Sequence, residues 1–317
     1  MSTATVPVTP AAKPTHRALL YRGLGEFLTM TAREVHGALA TDRPVLAALP
    51  TTHLNLLRDA LDGDGERVRW IDMAQAGRNP GRILPSVLTA FDDAHADTPV
   101  TMIGEPIWPG RTANEYAAAL AHEALINLAF AGRPVSILCP YDVEGLSPEA
   151  LHDATRTHPE IVDRKGTRPS DGYSDPADVV AEAAGRLSQP PAHSVVLQVS
   201  RVDELLATRR LLRAQAQLAG LSADRAERFT LACHEAIANA LRHGGGRADV
   251  HLWREADTLV CDVRSPGGFG DLLAGRRAAD PGSATGRGLL LINEICDLVQ
   301  LSATSKGATV QMRVATR

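Results

Sequence analysis

Three polar side chains at helical spacing constrain this chain more than any other sequence feature. Glu235, Asn239 and His243 lie four residues apart within the run 229–243. Four residues turn an α-helix by about 400°, so the carboxylate, the amide and the imidazole project from nearly the same face. The apolar residues of the run can be buried on the opposite side, which leaves a polar stripe facing a cavity.

A glycine turn follows the stripe further along the chain. It reads Thr285-Gly286-Arg287-Gly288-Leu289 and precedes a predicted helix over 288–298. Glycines at a helix start leave backbone N–H groups accessible, and the helix dipole favours anions there. The stripe and the turn together indicate a nucleotide site, to which Arg287 adds positive charge.

The bulk composition narrows the class of protein. A chain of 317 residues exceeds a comfortable single core, and roughly 100 to 200 residues per domain suggest two domains. The net charge of -4 gives no electrostatic reason to expect direct binding to nucleic acid or to an anionic membrane. No apolar run reaches the roughly 18 residues that span a bilayer, and segment 1–15 lacks the apolar core of a signal peptide. We therefore expect cytoplasmic residence.

The cysteines are widely spaced and form no Cys-x-x-Cys pair. They are Cys139, Cys233, Cys261 and Cys296. Each lies among apolar residues, so all are interpreted as reduced core residues. His16 and His158 are interpreted as structural caps or surface groups.

The N-terminal half alternates helical stretches with short β-rich runs. The predicted strands are 44–49, 68–71, 100–103 and 135–138. Such alternation predicts an α/β domain with a largely parallel sheet flanked by helices.

The C-terminal half has a different element order. It reads strand, two helices, two strands, a glycine-rich loop, a helix and a closing hairpin. This order predicts an α+β two-layer sandwich, a sheet with helices on one face. Composition shifts place the boundaries as follows: a disordered tail 1–15, an N-terminal domain 16–162, a linker 163–193 with room for one short helix around 178–187, and a C-terminal domain 194–317.

The C-terminal half resembles the GHKL ATPases of the gyrase, heat-shock chaperone and histidine kinase families, and most closely the anti-sigma-factor serine kinases. The resemblance covers the stripe, the glycine turn and the hairpin, and it implies the Bergerat nucleotide fold with ATP and Mg as cofactors. It assigns Glu235 as general base and Asn239 as magnesium ligand. It places His243 at the phosphate end, Gly286, Arg287 and Gly288 over the β- and γ-phosphates, and Thr309 beside the adenine.

One departure from this family concerns adenine recognition. The family has aspartate in an Asp-x-Gly motif after the central strand, whereas this chain reads Ser265-Pro266-Gly267. Gly267 is retained, but a neutral serine makes a weaker hydrogen bond than a carboxylate to the adenine amino group. Asp262 could substitute only if a bulge turned it to the same face of the strand.

Two other catalytic classes fit poorly. A histidine kinase needs a phosphoacceptor histidine followed by proline on a dimerising helix, and the candidate at His122-Glu123 lacks the proline. Zinc hydrolase chemistry needs a second histidine four residues after the first, which both His122-Glu123 and His234-Glu235 lack.

The N-terminal half is similar to the MEDS sensory domain of methanogen and methylotroph regulators. The similarity rests on the ordered segments GEPIWPGR (104–111), HEALINLAF (122–130), LCPYD (138–142) and THPE (157–160). It implies a RecA-like α/β domain that binds a small organic signal without a working phosphate loop. Glu105, Trp108, Arg111 and His122 are the candidate ligand residues. The alternative is that Trp108 anchors the core and Arg111 pairs with Glu123.

These features predict a sensor-regulator in which the N-terminal domain controls an ATP-dependent serine/threonine protein kinase of the anti-sigma-factor type. The expected partners are a STAS-type anti-sigma antagonist or a sigma factor, together with an unknown small-molecule signal. A homodimer is one candidate for the oligomeric state. The alternative function is a non-catalytic partner-binding regulator with a degenerate nucleotide site, and Ser265 is its main support.

Overall fold

The computed structural model describes residues 14–96, 98–268, 270–277, 287–305 and 307–316. These residues form two sheets, each with its own helices. The described part of the chain contains no helix that combines the length and the apolar character needed to cross a membrane.

The first sheet has seven strands in the order β3-β2-β4-β5-β1-β6-β7. They are β1 Thr15–Tyr21, β2 Val45–Leu49, β3 Val68–Asp72, β4 Val100–Gly104, β5 Val135–Asp142, β6 Glu160–Asp163 and β7 Gly166–Pro169. All neighbouring pairs are parallel except β6 and β7. The predicted parallel sheet of the N-terminal half is therefore confirmed.

Helices cover both faces of this sheet. They are α1 Gly23–Leu39, α2 Thr51–Leu61, α3 Met73–Ala76, α4 Pro80–Arg82, α5 Ala90–Asp93, α6 Ala113–Ala129, α7 Pro148–Thr157 and α8 Pro176–Gly185. A 3-10 turn spans Asp62–Arg67, and a π-helical stretch, Ile83–Thr89, joins α4 to α5. Strand β2 shows the two-sided burial, because Leu46 packs in the core that includes α6 and Leu49 packs in the core that includes α1.

The second sheet has five antiparallel strands in the order β11-β12-β10-β9-β8. Its elements are β8 Val195–Val199, a 3-10 turn Val202–Glu204, α9 Leu205–Leu218, α10 Ala223–His243, β9 Ala248–Glu255, β10 Thr258–Ser265, α11 Arg287–Ile295, β11 Leu298–Thr304 and β12 Gly307–Ala315. One core joins all three helices to one face of the sheet. The predicted layered α+β arrangement is confirmed at this level.

Strand β1 corrects the prediction for the chain start. The tail was predicted to extend through residue 15 and to precede a helix, whereas Thr15 begins a central strand between β5 and β6. A central parallel strand is buried on both faces, so its apolar run lacks the alternation that identifies a strand in sequence. Residues 1–13 of the predicted tail lie outside the described residues.

The segment 163–193, predicted as a linker, is ordered and contains β7 and α8. Helix α8 contacts α6 and β11, and Val179 and Ala183 share a small core with Leu120 and Ala124 of α6. Beyond α8, the Ser188 carbonyl accepts a 2.8 Å hydrogen bond from Gln311 of β12. The short helix expected around 178–187 corresponds to α8, but the segment packs against both halves and is more than a linker.

Candidate functional site

A cavity of about 320 Å³ lies between α10, β10, β12 and the start of α11. This volume is at the lower end of the range for small-molecule sites. Its apolar wall consists of Ala236, Ala240, Val263, Leu289, Ala308 and Val310. Its polar or open edge consists of Asn239, His243, Gly244, Ser265, Gly267, Gly268, Asp271 and Gly288. A largely apolar slot with polar groups at the rim suits a flat aromatic ring that carries a charged substituent.

The start of α11 lies directly against the polar stripe of α10. A Cβ atom placed on Gly288 would lie 3.1 Å from Glu235 Oε2 and 3.0 Å from Asn239 Nδ2. Both side chains are partly buried, and the Asn239 amide oxygen accepts a 3.4 Å hydrogen bond from Arg242. The structure therefore brings Glu235, Asn239 and Gly288 together at one end of the cavity, and only glycine at 288 leaves this space open.

The remaining residues predicted for this site do not all line the cavity. His243 and Gly267 line the cavity, and Arg287 is the first residue of α11. Gly286 lies outside the described residues.

Thr309 is not brought to the cavity. Ala308 and Val310 line it, and the period-two alternation of a strand turns Thr309 to the opposite face of β12. Its position was misassigned by one residue in a strand, which is enough to change faces.

Ser265 lies in the cavity wall and forms part of a close backbone contact. Its hydroxyl donates a 3.2 Å hydrogen bond to the Gly267 carbonyl, and the Gly267 N–H donates to the Gly244 carbonyl at 2.7 Å. A Cβ atom on Gly267 would lie 2.8 Å from the Gly244 carbonyl carbon. The loop after α10 and the turn after β10 thus approach so closely that both positions require glycine.

Asp262 does not replace the missing aspartate. It lies on the face of β10 opposite Val263 and Ser265, where it is buried and ion-paired with Arg264 at 2.9 Å. The Gln311 amide also donates to it at 3.1 Å. Strand β10 pairs regularly with β9 through Arg264 and with β12 through Ser265, without the bulge that a switch of faces would need.

Sequence reasoning missed a carboxylate at the same cavity. Asp271 lines the cavity from the segment after β10, where it accepts a 2.8 Å contact from Arg277. No motif in the sequence signals it, because its position depends on how this segment folds back over α11.

The far end of α11 is held by the N-terminal unit. Arg82 of α4 donates to the carbonyls of Asn293, Glu294 and Cys296 at 2.5, 3.0 and 2.7 Å. Buried Asn79 donates to the Asn293 carbonyl at 3.0 Å. A cation at the last carbonyls of a helix satisfies unpaired acceptors and complements the helix dipole.

The segment before α11 also enters the N-terminal unit. Leu273 is 3% exposed and belongs to the hydrophobic core of the first sheet. Arg276 is buried, burial lowers its pKa to about 10, and its Nε and Nη1 atoms have no hydrogen-bond partner among the described residues.

The four candidate sensory residues do not form one cluster of contacts. Buried Glu105 contacts His53 at 2.7 Å, and burial raises the pKa of Glu105. Trp108 stacks on Arg111, whose guanidinium carbon lies 3.6 Å from the ring centroid. His122 is buried, and burial lowers its pKa to about 3.

Arg111 does not pair with Glu123, and Trp108 is only partly buried. Arg111 donates to the carbonyls of Pro106 and Gly77, at 2.5 and 2.9 Å. Its Nη1 atom and His122 Nδ1 are buried without a hydrogen-bond partner in the described part of the chain. Trp108 and Arg111 also line a cavity of about 700 Å³ beside α6 and α7.

Comparison with known protein families divides the chain into the same two halves as the two sheets do. Residues 199–314 match the histidine kinase-like ATPase domain, and residues 15–159 match a sensory-domain family. The chain thus joins a sensory-family domain to a histidine kinase-like ATPase domain. Its N-terminal domain belongs to MEDS, the methanogen/methylotroph, DcmR sensory domain.

Similarity to individual proteins is weak. A solved structure, the RsbU and RsbW domains of Rv1364c from Mycobacterium tuberculosis, matches at 14% identity and a TM-score of 0.29. The match covers 66% of this chain and 49% of that one, so it spans about half of that structure. A TM-score of 0.29 is too low to carry an argument about shared function. A search among curated proteins found no significant match.

Proposed function

We propose that the protein is a signal-controlled serine/threonine kinase of the anti-sigma-factor type. The observation that carries the proposal is the convergence of Glu235, Asn239 and Gly288 at one end of an apolar cavity. A carboxylate and an amide oxygen beside a helix N-terminus are the groups that phosphoryl transfer to a hydroxyl requires. The proposed partner is a STAS-type antagonist protein or a sigma factor, and the protein would act as a homodimer.

The side chains and backbone groups beside Gly288 fit the phosphates and the Mg²⁺ of Mg-ATP. Asn239 would hold Mg²⁺ through its amide oxygen, and the N-terminus of α11 at Arg287 and Gly288 would face the phosphates. ATP supplies the phosphoryl group when bound. Glu235 would then take the proton of the partner's hydroxyl as that oxygen attacks the γ-phosphate and ADP leaves.

A transfer assay with ATP labelled in its γ-phosphate tests this role. We expect the full chain to label a serine of a STAS-type protein, and Glu235→Gln to reduce transfer by about 100-fold or more, because loss of a general base costs 10²–10⁴ in rate. Glu227→Gln is the matched control, since Glu227 lies on the same helix but pairs with Arg209 and Arg213 at the surface. Equal transfer by Glu235→Gln and wild type, or no transfer by wild type at saturating Mg-ATP, would contradict the catalytic role.

We further propose that the N-terminal domain controls α11. The supporting contacts are continuous: Arg111 donates to the carbonyl of Gly77, Asn79 and Arg82 bind the C-terminal carbonyls of α11, and the other end of α11 faces Glu235. The Asn293 side chain also donates to the Gly275 carbonyl at 3.2 Å, which links α11 to the segment that carries Leu273 and Arg276. A signal that shifts residues 77–89 would move α11 along with them.

The signal itself is proposed to bind between these groups. Buried donors without a partner at Arg111, His122 and Arg276 suit a small ligand with hydrogen-bond acceptors. Leu273 and Arg276 come from the ATPase half, so such a ligand would touch both halves at once.

The second candidate is a non-catalytic regulator that binds a partner protein. It is favoured by one observation, the neutral Ser265 in the cavity wall with Asp262 turned to the other face. Nucleotide affinity separates the two functions, since a partner-binding module does not need ATP.

A further inference from the structure

Four buried side chains from distant parts of the sequence meet inside the first sheet's unit. They are His16 of β1, Glu123 of α6, Cys139 of β5 and His158, the residue after α7. Each offers one ligand atom, and these atoms all lie within 4.8 Å of one another. His158 is the C-cap residue of α7, as one of the two interpretations had it, but neither histidine is a surface group, because His16 and His158 are 6% and 0% exposed.

The separations between these atoms suit a shared metal ion. His158 Nε2 and His16 Nε2 lie 2.8 and 3.4 Å from Glu123 Oε2. Cys139 Sγ lies 3.5 Å from His16 Nε2 and 3.9 Å from Glu123 Oε1. Tetrahedral zinc with bonds of 2.0–2.3 Å holds its ligand atoms roughly 3.3–3.8 Å apart. The four observed distances, 2.8 to 3.9 Å, extend slightly below and above this range.

The hydrogen bonds of His158 direct its Nε2 lone pair inward. Its Nδ1 lies 2.8 Å from the Ala154 carbonyl, which can only accept, so Nδ1 carries the proton. The Thr157 hydroxyl, 3.0 Å away, donates to the Asp153 carbonyl and leaves its oxygen to accept as well. This leaves Nε2 as the ring nitrogen that is available to a ligand.

His16 is oriented in the same way. Its Nδ1 lies 3.1 Å from Asn127 Oδ1. The Asn127 amide group is fixed because its Nδ2 donates to the Thr157 carbonyl at 2.8 Å, so its oxygen faces the imidazole. An imidazole that donates its outer N–H to an oxygen acceptor and turns its other nitrogen inward is the usual arrangement of a metal-ligating histidine.

The contact between His158 and Glu123 argues against a simple ion pair. Although His158 Nε2 lies 2.8 Å from Glu123 Oε2, the direction of Nε2 does not meet hydrogen-bond geometry, and Nε2 has no hydrogen-bond partner among the described residues. A divalent cation that both atoms face would stabilise this close contact without that hydrogen bond.

We propose that His16, Glu123, Cys139 and His158 form a buried four-ligand site for zinc or a similarly thiophilic divalent cation. The Cys139 thiolate and the Glu123 carboxylate together balance the charge of a divalent ion, and the thiol proton leaves to solvent when the ion binds. Tyr141 donates to Glu123 Oε2 at 3.3 Å and holds the carboxylate in place.

The role of this site is structural. Four protein ligands leave no open position for a substrate, as in closed structural zinc sites. The ion would join β1, α6, β5 and the end of α7 at a single point inside the unit of the first sheet. This inference does not rest on the proposed kinase function.

Metal analysis of the untagged full chain, purified without chelators from zinc-supplemented medium, tests the proposal. We expect about one zinc per chain in wild type and in Cys233→Ala, and less than about one tenth of that in Cys139→Ala. Cys233 is the matched control because it is also a fully buried cysteine, in the core of the second sheet. Equal zinc content in Cys139→Ala and Cys233→Ala would overturn the site.

Titration of the metal-stripped wild type with cobalt(II) gives an answer even if Cys139→Ala does not fold. A thiolate-to-cobalt charge-transfer band together with the intense visible bands of tetrahedral cobalt is the expected result, saturating at about one ion per chain. A spectrum of weak octahedral cobalt without a thiolate band, or no binding of zinc or cobalt, would overturn the proposal.

Discussion

At the scale of single residues, Ser265 bears directly on the nucleotide binding that we propose for the cavity. Ser265 lines the cavity, but its hydroxyl donates its hydrogen bond to the Gly267 carbonyl. The Ser265 oxygen can therefore only accept a hydrogen bond from a ligand. Asp271 brings a carboxylate to the same cavity, yet Arg277 engages it. The end of the cavity proposed for adenine thus matches the residues of the GHKL family less closely than the end proposed for the phosphates, where Glu235 and Asn239 are both retained.

We expect Ser265→Asp to bind ATP about 2- to 30-fold more tightly than wild type, because a hydrogen bond to a charged group contributes roughly 1.5–3 kcal/mol against about 1 kcal/mol for a neutral one. Isothermal titration calorimetry of wild type, Ser265→Asp and the neutral control Ser265→Asn measures this. An Asp variant that binds no more tightly than the Asn variant would show that residue 265 does not contact the base. Undetectable binding by wild type with recovery in Ser265→Asp would favour the non-catalytic regulator.

At the scale of elements, α11 is the helix on which both halves act. Its N-terminal end lies against the stripe of α10, and its C-terminal carbonyls are bound by Arg82 and Asn79. Asn79 also caps α4 by accepting from the Gly81 N–H at 3.0 Å, and the π-helical stretch follows at once. Because π-helical turns often occur at functional sites, this segment is a natural point of control.

Arg82→Ala is expected to loosen α11, because it removes a cation and three hydrogen bonds from the helix C-terminus. The loss of such a cation costs about 0.5–2 kcal/mol locally. Hydrogen–deuterium exchange should show faster exchange of the amides in 287–296 than in wild type, whereas the exposed neighbour Arg78 provides a control in Arg78→Ala. Unchanged exchange of α11 in Arg82→Ala would mean that packing alone holds the helix.

At the scale of the whole molecule, the two halves share buried structure. Leu273 follows β10 in sequence but packs in the core of the first sheet, while α8 and Ser188 from the predicted linker cover β11 and β12. Residues that contribute to a core across a domain boundary tie the stability of one half to the position of the other.

Leu273→Ala is therefore expected to destabilise the N-terminal unit by about 2–5 kcal/mol, the usual cost of removing a buried leucine side chain. Its neighbour Leu272 is 41% exposed, so Leu272→Ala should change stability by less than about 0.5 kcal/mol. Urea unfolding followed through tryptophan fluorescence in a Trp253→Phe background, which leaves Trp70 and Trp108 of the first unit as the reporters, compares the two variants. Equal midpoints for Leu272→Ala and Leu273→Ala would show that the contact contributes nothing.

Local patterns in the sequence were sufficient for the features with short-range periodicity. The four predicted strands of the first sheet and the element order of the second follow from apolar spacing, and the stripe of α10 follows from a four-residue step. Strand β1 was not predicted, because a run buried on both faces carries little periodic signal.

Tertiary structure alone decided which residues meet. His16, Glu123, Cys139 and His158 have no metal-binding spacing, since four different elements supply them and only the strand order of the first sheet brings them together. The face to which Thr309 points and the capping of α11 by Arg82 were likewise set by strand register and by packing between halves. Local spacing determines which face of an element a side chain occupies, whereas contacts between distant segments depend on the closure of the whole chain.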